Sequence, residues 1–436
     1  MDKENIRRYG TKGATLKYIS ERDEKVPIEP FILVPVGHDW RDYRNEIREL
    51  GECLVRSSSP LEDGRQLSFA GLFHTVPFSG SRSVDHVLET VDDDAVRRYA
   101  QIHGVNEPIT MGLVFQRNSD SDINWGMLRH PHLEELVFIQ GRPLKGLGSL
   151  ASISYNFVYN EKTKKLHDLD FFTRHWLGKD EGVDLEQECS DLPNALEIYK
   201  KLEDMPAFQT GFTYHMEFGS NPFSVYQFRP FRKKEQADWK LELSDDYEPG
   251  VDQLPLSFGI TPSEGLELIL VRALSTKENK KLIEQRRNLK DLPKDIIVNR
   301  LMDLRKYGKK RILGAKEKPY AEEIADLDPD IFGSIEEEAF DRALSKLNNN
   351  ANIENTCLLQ EHIHFYYGED IDLVFPNAKV WVPEGALQFL SHNWFRAMQH
   401  YDIVITGFPR MYFYRTGDKI KVYSDGRKGK IEQLKK

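Results

Sequence analysis

The chain has 436 residues, 39% of them hydrophobic and 11% aromatic, which exceeds the usual size of one hydrophobic core and predicts two or three domains. A formal net charge of −10 weighs against DNA as a partner. No apolar run reaches the length of about 18 residues that a membrane helix needs, the N-terminal residues lack the apolar stretch of a secretory signal, and Cys53, Cys189 and Cys357 lie too far apart in sequence for a CxxC zinc knuckle and fit a reducing cytoplasm.

Residues 1–232 read as mixed α/β. TKGAT (11–15) has the character of a loop-to-helix start, where Lys12 and backbone N–H groups can meet phosphate oxygens. FILVPV (31–36) predicts a strand, DYRNEIREL (42–50) a helix and LVRSS (54–58) a strand ending near Arg56, whose guanidinium suits bidentate contact with phosphate. SFAGLFHT (68–75) comes next, with Ser68, Gly71 and Thr75 in a loop of small residues able to fold over phosphates. MGLVFQ (111–116), ending in Gln116, and ELVFIQG (135–141) predict buried strands. In MEFGSNPFSVYQFRPF (216–231) the NP turn separates two strands. Glu217 and Gln227 facing each other across it supply two oxygens for Mg²⁺, a hard cation that takes few protein ligands. Arg229, two residues beyond Gln227, shares its strand face and is placed to stabilise charge on a transferring phosphoryl group.

These segments, in this order, resemble the pyruvate phosphate dikinase and phosphoenolpyruvate synthase family. KGATLKYI is similar to that family's opening motif, VRSSSPLEDGRQLSFAGLFHT to its phosphate-loop signature, RRYAQIHGVNEPITMGLVFQ to the segment leading to the adenine-side strand, and EFGSNPFSVYQFRP to its closing motif. The resemblance spans roughly residues 5–232. It implies an ATP-grasp domain over 1–232 that binds ATP and Mg²⁺. Lys12 and Arg56 are then phosphate contacts, Ser68, Gly71 and Thr75 the phosphate cover, Gln116 a nucleotide-strand contact, Glu217 and Gln227 the metal ligands, and Arg229 the residue assisting transfer.

Residues 233–355 read as a linker or helical insert. Between Lys277 and Lys318 fifteen Lys or Arg face six acids, and 321–341 then carries nine acids and no Lys or Arg. The region suits solvated helix faces that pair with each other, or an acceptor-docking arm. LSFGITPSEGLELILVRAL (256–274) has the pattern of a strand pair belonging to the second, C-terminal domain. Residues 356–436 read as a compact α/β domain of short strands around one helix, LSHNWFRAMQHY (390–401). There His392 follows Ser391 at a turn-to-helix junction, a setting in which a histidine can carry a phosphoryl group as a covalent relay. EGALQFLSHNWFRAM, YDIVITGFP and GDKIKVYSDGRKGKI resemble, in order, the family's phosphohistidine domain, with Leu390, Asn393 and Trp394 where the family has Thr and two Ala. His362 and His364, and His130 and His132, read as structural histidines.

The fold expectation is therefore α/β (α+β): an ATP-grasp domain, a helical insert and a small swivelling phosphohistidine-type domain. The functional expectation is an ATP-dependent phosphotransferase that passes a phosphoryl group through His392 and forms AMP. The family's pyruvate-binding barrel has no counterpart in the sequence, so the acceptor is an unidentified small molecule or chemistry supplied by a separate barrel subunit. The sequence leaves homo-oligomerisation open. The alternative is an ATP-binding regulatory or assembly protein whose histidine is not phosphorylated.

Overall fold

The computed structural model describes residues 2–62, 68–119, 121–143, 155–168, 191–209, 211–220, 222–241, 257–273, 355–360, 378–383, 392–406 and 418–434. They form a mixed helix-and-sheet protein built on three sheets. Helix α1 (Lys3–Arg22) is capped by Asp2, whose carboxylate accepts from the Glu4 amide. It breaks at Gly10, which has φ 73° and lies so close to the carbonyl oxygen of Ser58 that a Cβ there would sit 1.9 Å from it. Only glycine tolerates that conformation and that approach. The helix restarts at Thr11, which places Lys12 in a first helical turn.

The first sheet is antiparallel, in the order β1 (Phe31–Val34), β4 (Gly112–Arg117), β2 (Cys53–Ser58), β3 (Thr75–Pro77). Val55, Leu113 and Phe115 on one face pack against α3 (Ser81–Glu89), α4 (Asp94–Ile102) and the apolar side chains Phe69, Leu72 and Phe73 of the SFAGLFHT loop. The predicted helix over 42–50 is a short 3₁₀ turn, Trp40–Tyr43, followed by α2 (Arg44–Leu50).

The second sheet is also antiparallel, in the order β10 (Ser224–Lys233), β9 (Phe212–Ser220), β5 (Ile123–Arg129), β6 (Leu136–Pro143), β7 (Tyr155–Asn160), β8 (Lys165–Asp168). Met127, Val137, Ile139, Met216, Phe218 and Phe228 line one face. Helix α5 (Leu192–Glu203) covers it with Ala195, Ile198, Tyr199 and Leu202, the apolar stripe of an amphipathic helix.

The third sheet runs β11 (Ser257–Phe258), β15 (Ile403–Ile405), β14 (Val380–Pro383), β13 (Thr356–Gln360), β12 (Leu266–Ala273), β16 (Lys419–Ser424), β17 (Gly429–Gln433). Its β12–β13–β14–β15 centre is parallel and its margins antiparallel. The central strands read as near-continuous apolar runs, as parallel strands buried on both faces do. The region read as linker and insert, 233–355, thus contributes two strands, β11 and β12, to the C-terminal sheet. The sequence pattern of 256–274 had shown those strands, but not how far away their partners lie. The charged segment 277–341, Ser391, and His362 with His364 and the predicted strands around them lie outside the described residues.

Helix α6 (His392–His400) joins the second and third sheets. Phe395, Ala397, Met398 and Tyr401 share one buried cluster with Leu128, Phe138 and Phe231 of the second sheet, with Phe258, Leu358, Trp381 and Val404 of the third, and with Ala70. A second seam runs through the turn after β5. His132 accepts from the Gly259 amide, and its other ring nitrogen meets the carbonyl of Glu235. His130 accepts from the amides of His132 and Leu133 and stacks on Phe258. Burial first, then His132, Arg427 and Arg232, push the His130 imidazole down to about 3; burial, and then Arg232 against the opposing Glu235 carbonyl, Glu235 and Asp425, lowers His132. His130 is held neutral in the fold down to about pH 3, while an unfolded histidine titrates near 6.5. The unfolded state therefore binds more protons below that pH, and stability falls as pH drops from about 6.5 toward 3, with a limiting slope of about 1.4 kcal/mol per pH unit from His130, and the lowered His132 acts in the same direction. The stability difference between wild type and His130→Asn, which keeps an acceptor but does not titrate, should shrink steadily between pH 7 and pH 4 in urea unfolding. A difference that stays constant would refute this assignment.

Candidate functional site

Of the polar residues singled out in sequence, Arg56 and Gln116 of the first sheet meet Gln227 of the second, whose strand face also carries Glu217 and Arg229, and Lys12 lies beside them. Lys12 is brought in by the helix restart at Gly10. The Thr11 amide and hydroxyl donate to the Ser59 carbonyl, and the Gly13 amide donates to Ser58 Oγ. The Lys12 ammonium, 4% exposed, donates to the Ser57 carbonyl at 2.9 Å and to Glu62 Oε1 at 2.7 Å. Glu62 also accepts from Ser57 Oγ. The contacts of Lys12 are thus with Ser57 and Glu62 at the end of β2, beside the Arg56 group and not within it.

Arg56 ties the two sheets together. Its Nη1 donates to Gln116 Oε1 on the adjacent β4 and to the Tyr226 carbonyl on β10, and its Nη2 to Gln227 Oε1 at 3.1 Å. Gln116 sits one strand over on the same face, because Leu54 and Gln116 are register partners and Arg56 is two residues on from Leu54. With its oxygen engaged, the buried Nε2 of Gln116 has no hydrogen-bond partner among the described residues. Such an orphaned donor costs about 1–3 kcal/mol, so an acceptor arriving there is favoured.

On the β9–β10 hairpin Glu217 and Gln227 are register partners, and so are His215 and Arg229. The period of two puts all four on one face. Arg229, 2% exposed, donates through Nη2 to Glu217 Oε1 at 3.0 Å and through Nε to His215 Nδ1 at 3.2 Å. That bond makes Nδ1 an acceptor and puts the ring proton on Nε2. Gly126 on β5 is the register partner of Glu217 on its other side and brings no side chain. Lys12, Arg56 and Arg229 against Glu62 and Glu217 leave the group with one net positive charge, a balance suited to an anion.

Glu217 and Gln227 are register partners whose carboxylate and amide oxygens are of the kind a hard cation takes, but Glu217 Oε1 accepts from Arg229 and Gln227 Oε1 from Arg56, so a cation would have to take Glu217 Oε2 or displace a guanidinium. No cluster of three or more His, Cys, Asp or Glu is found among the described residues. A cation here would complete its shell from a ligand's oxygens and water.

The SFAGLFHT loop is more deeply packed than its small residues suggest. Ser68 Oγ donates to the Glu62 carbonyl and accepts from the Ala70 amide. Gly71 adopts φ 79° in the turn closed by Leu72 N to Phe69 O. Thr75 is exposed on β3 as the register partner of Arg56. The described part of helix α6 runs from His392, and the turn expected before it lies outside the described residues; one turn on, the Phe395 ring lies over the Arg229 guanidinium with 3.9 Å between centroid and Cζ.

Four contributors escaped the sequence reading. Glu62 lies in the quoted SSSPLEDG stretch, but nothing local pairs it with Lys12. His215 is two residues before Glu217, so the strand period alone could have flagged it. Phe395 and Arg396 look like an ordinary apolar-basic step of a helix, and their partners are distant in sequence.

No protein-family model matches the chain, and no curated protein matches it. Among solved structures it is similar to the ATP-grasp ligase PsnB complexed with a minimal precursor (11% identity, 50% of this chain and 51% of that chain, TM-score 0.24). It is also similar to the D-alanine–D-alanine ligase from Coxiella burnetii (10%, 52% and 48%, 0.24) and to the macrocyclase MdnC bound with precursor peptide MdnA from Microcystis aeruginosa MRC (11%, 57% and 60%, 0.25). The chain spans about half the length of the first two. At these TM-scores the likeness carries no argument. Among the described residues no helix is long and apolar enough to cross a membrane.

Proposed function

We propose that this chain binds ATP with Mg²⁺ in an ATP-grasp module over residues 1–232 and transfers a phosphoryl group from it through His392 in a C-terminal phosphohistidine-type domain. The observation that carries the reading is the bridge made by Arg56, which holds Gln116 and Gln227 from opposing sheets around one buried guanidinium beside an orphaned amide donor. Arg56 and Lys12 bind phosphate oxygens, Gln116 donates to the nucleotide, and Arg229 neutralises charge developing on the transferred group. Ser68 and Gly71 shape the loop that covers the phosphates, with Thr75 at its exit. Glu217 and Gln227 hold Mg²⁺, which supplies charge neutralisation to the phosphate oxygens. In the transfer a His392 ring nitrogen attacks the β-phosphorus, and the bond to the oxygen bridging the α- and β-phosphates breaks. AMP leaves with that oxygen. Water or orthophosphate then takes the γ-phosphoryl group, and phosphohistidine remains for an acceptor.

Wild-type protein incubated with β-³²P-ATP and Mg²⁺ should acquire acid-labile label and form AMP, and His392→Ala should acquire none. ATP binding without label on wild type would overturn the relay. A second reading, nucleotide-dependent regulation without phosphorylation, draws on Leu390, Asn393 and Trp394 around His392. In that case ATP binds and AMP does not form.

A further inference from the structure

Among the described residues, helix α6 is held at several points along its length, and two of them fall on the elements that the proposed function assigns to phosphate. Phe395, fully buried, lies over the face of Arg229 at 3.9 Å and beside the His215 ring at 4.9 Å. Arg396, also fully buried, donates through Nη1 to the Ala70 carbonyl at 3.1 Å and lies over the Tyr99 ring. Ala70 belongs to the SFAGLFHT loop. The far end of the helix is held separately: Arg232 donates to the carbonyls of Met398, Tyr401 and Asp402, and Gln399 donates to the carbonyls of Pro230 and Phe231. On the helix His392 is one turn ahead of Phe395.

We infer that Phe395 and Arg396 are positioning residues that set the His392 end of α6 onto the transferring phosphoryl group, Phe395 through Arg229 and Arg396 through the phosphate-cover loop. The inference rests on the proposed function. A guanidinium donates only in its plane, and its faces have no hydrogen-bonding capacity. The Phe395 ring therefore takes nothing from the donors of Arg229; those toward Glu217 and His215 stay engaged, and water is kept off the covered face. Exclusion of water makes the charge of Arg229 count for more, and it favours attack by the histidine over attack by solvent. Arg396 binds a main-chain carbonyl of the loop, so the helix registers where the loop lies and not merely that the domains touch. A packing role alone would make the two residues matter to stability and leave the partition of the phosphoryl group unchanged.

The test compares wild type, Phe395→Leu, Phe395→Tyr and Arg396→Lys. Leucine keeps an apolar side chain but has no ring to lie on Arg229; tyrosine keeps the ring. Lysine keeps the charge of residue 396 but not the forked donor. The ATP dissociation constant is measured by equilibrium dialysis, the single-turnover labelling of His392 with β-³²P-ATP by acid-labile counts, and the AMP formed per label trapped by chromatography. Since an error of about 1 Å in a reacting geometry costs up to roughly 100-fold, Phe395→Leu and Arg396→Lys should label roughly tenfold to 100-fold more slowly. Their dissociation constants should stay within about twofold of wild type, and each should form more AMP per label. Phe395→Tyr should restore rate and ratio. Labelling by Phe395→Leu and Arg396→Lys at the wild-type rate and ratio, or loss of ATP binding in proportion to loss of labelling, overturns the inference while leaving the proposed function standing. Absence of label on wild type overturns both.

Discussion

Arg56→Ala is expected to weaken ATP binding by at least about a hundredfold. The guanidinium donates to two opposing sheets, with Gln116, the Tyr226 carbonyl and Gln227 among its acceptors. Hydrogen bonds to charged groups contribute about 1.5–3 kcal/mol each, and a buried acceptor left unmade costs about 1–3 kcal/mol. Loss of the phosphate contact and of the preorganised amides together reaches the roughly 2.7 kcal/mol that a hundredfold change represents. Arg56→Lys should fall between, because one ammonium cannot span Gln116 and Gln227 in the planar fork that arginine offers. Calorimetric titration with ATP and Mg²⁺ gives the affinity directly. Thermal melting gives it through linkage: at a ligand concentration of about 100 times the dissociation constant the wild type gains about 2.7 kcal/mol, and Arg56→Ala should gain less than about 1. Undiminished ATP stabilisation of Arg56→Ala would remove Arg56 from the site and, with it, the observation on which the functional reading stands.

The parts of this arrangement that were legible in the sequence are those set by local periodicity. Glu217, Gln227 and Arg229 lie on a hairpin whose NP turn and period of two already put them on one face, and the register pairs Glu217 with Gln227. Lys12 was legible as a residue of a helix start, and Gly10 supplies the break by a positive φ that glycine alone accepts readily. What was not legible is everything fixed by non-local pairing. Lys12 and Glu62 are 50 residues apart and Arg56 and Gln227 are 171 apart. The strand pattern of β12 was visible, but its parallel partner β13 begins at Thr356 beyond the charged segment, and no local signal names a partner at that distance. Arg396 contacts a carbonyl 326 residues away. Its placement is set by the docking of α6 on two sheets, where the partners of its own side chains Phe395 and Arg396 lie far away in sequence.

Glu62→Ala should be the most destabilising single change in this group. It leaves the Lys12 ammonium, 4% exposed, with the Ser57 carbonyl but without its carboxylate. Breaking one side of a buried ion pair costs about 3–5 kcal/mol, because the remaining charge keeps its desolvation penalty and loses its compensation. Against a total stability of about 5–15 kcal/mol this is a large fraction. The effect is read as a lowered urea midpoint and a lowered melting temperature. The double variant Lys12→Met with Glu62→Leu removes both charges and fills the space with apolar groups, so it should recover most of the loss. Glu62→Ala within about 0.5 kcal/mol of wild type would mean that the pair has no structural weight, since buried pairs cost several times that when broken. The same variant also tests the role of Lys12, because phosphate is an anion that can replace the missing carboxylate. If Lys12 is a phosphate ligand, saturating ATP should stabilise Glu62→Ala more than it stabilises wild type, and the excess should vanish in the double variant. Equal stabilisation of all three by ATP would leave Lys12 as a structural partner of Glu62 alone and move the phosphate contacts to Arg56 and Arg229.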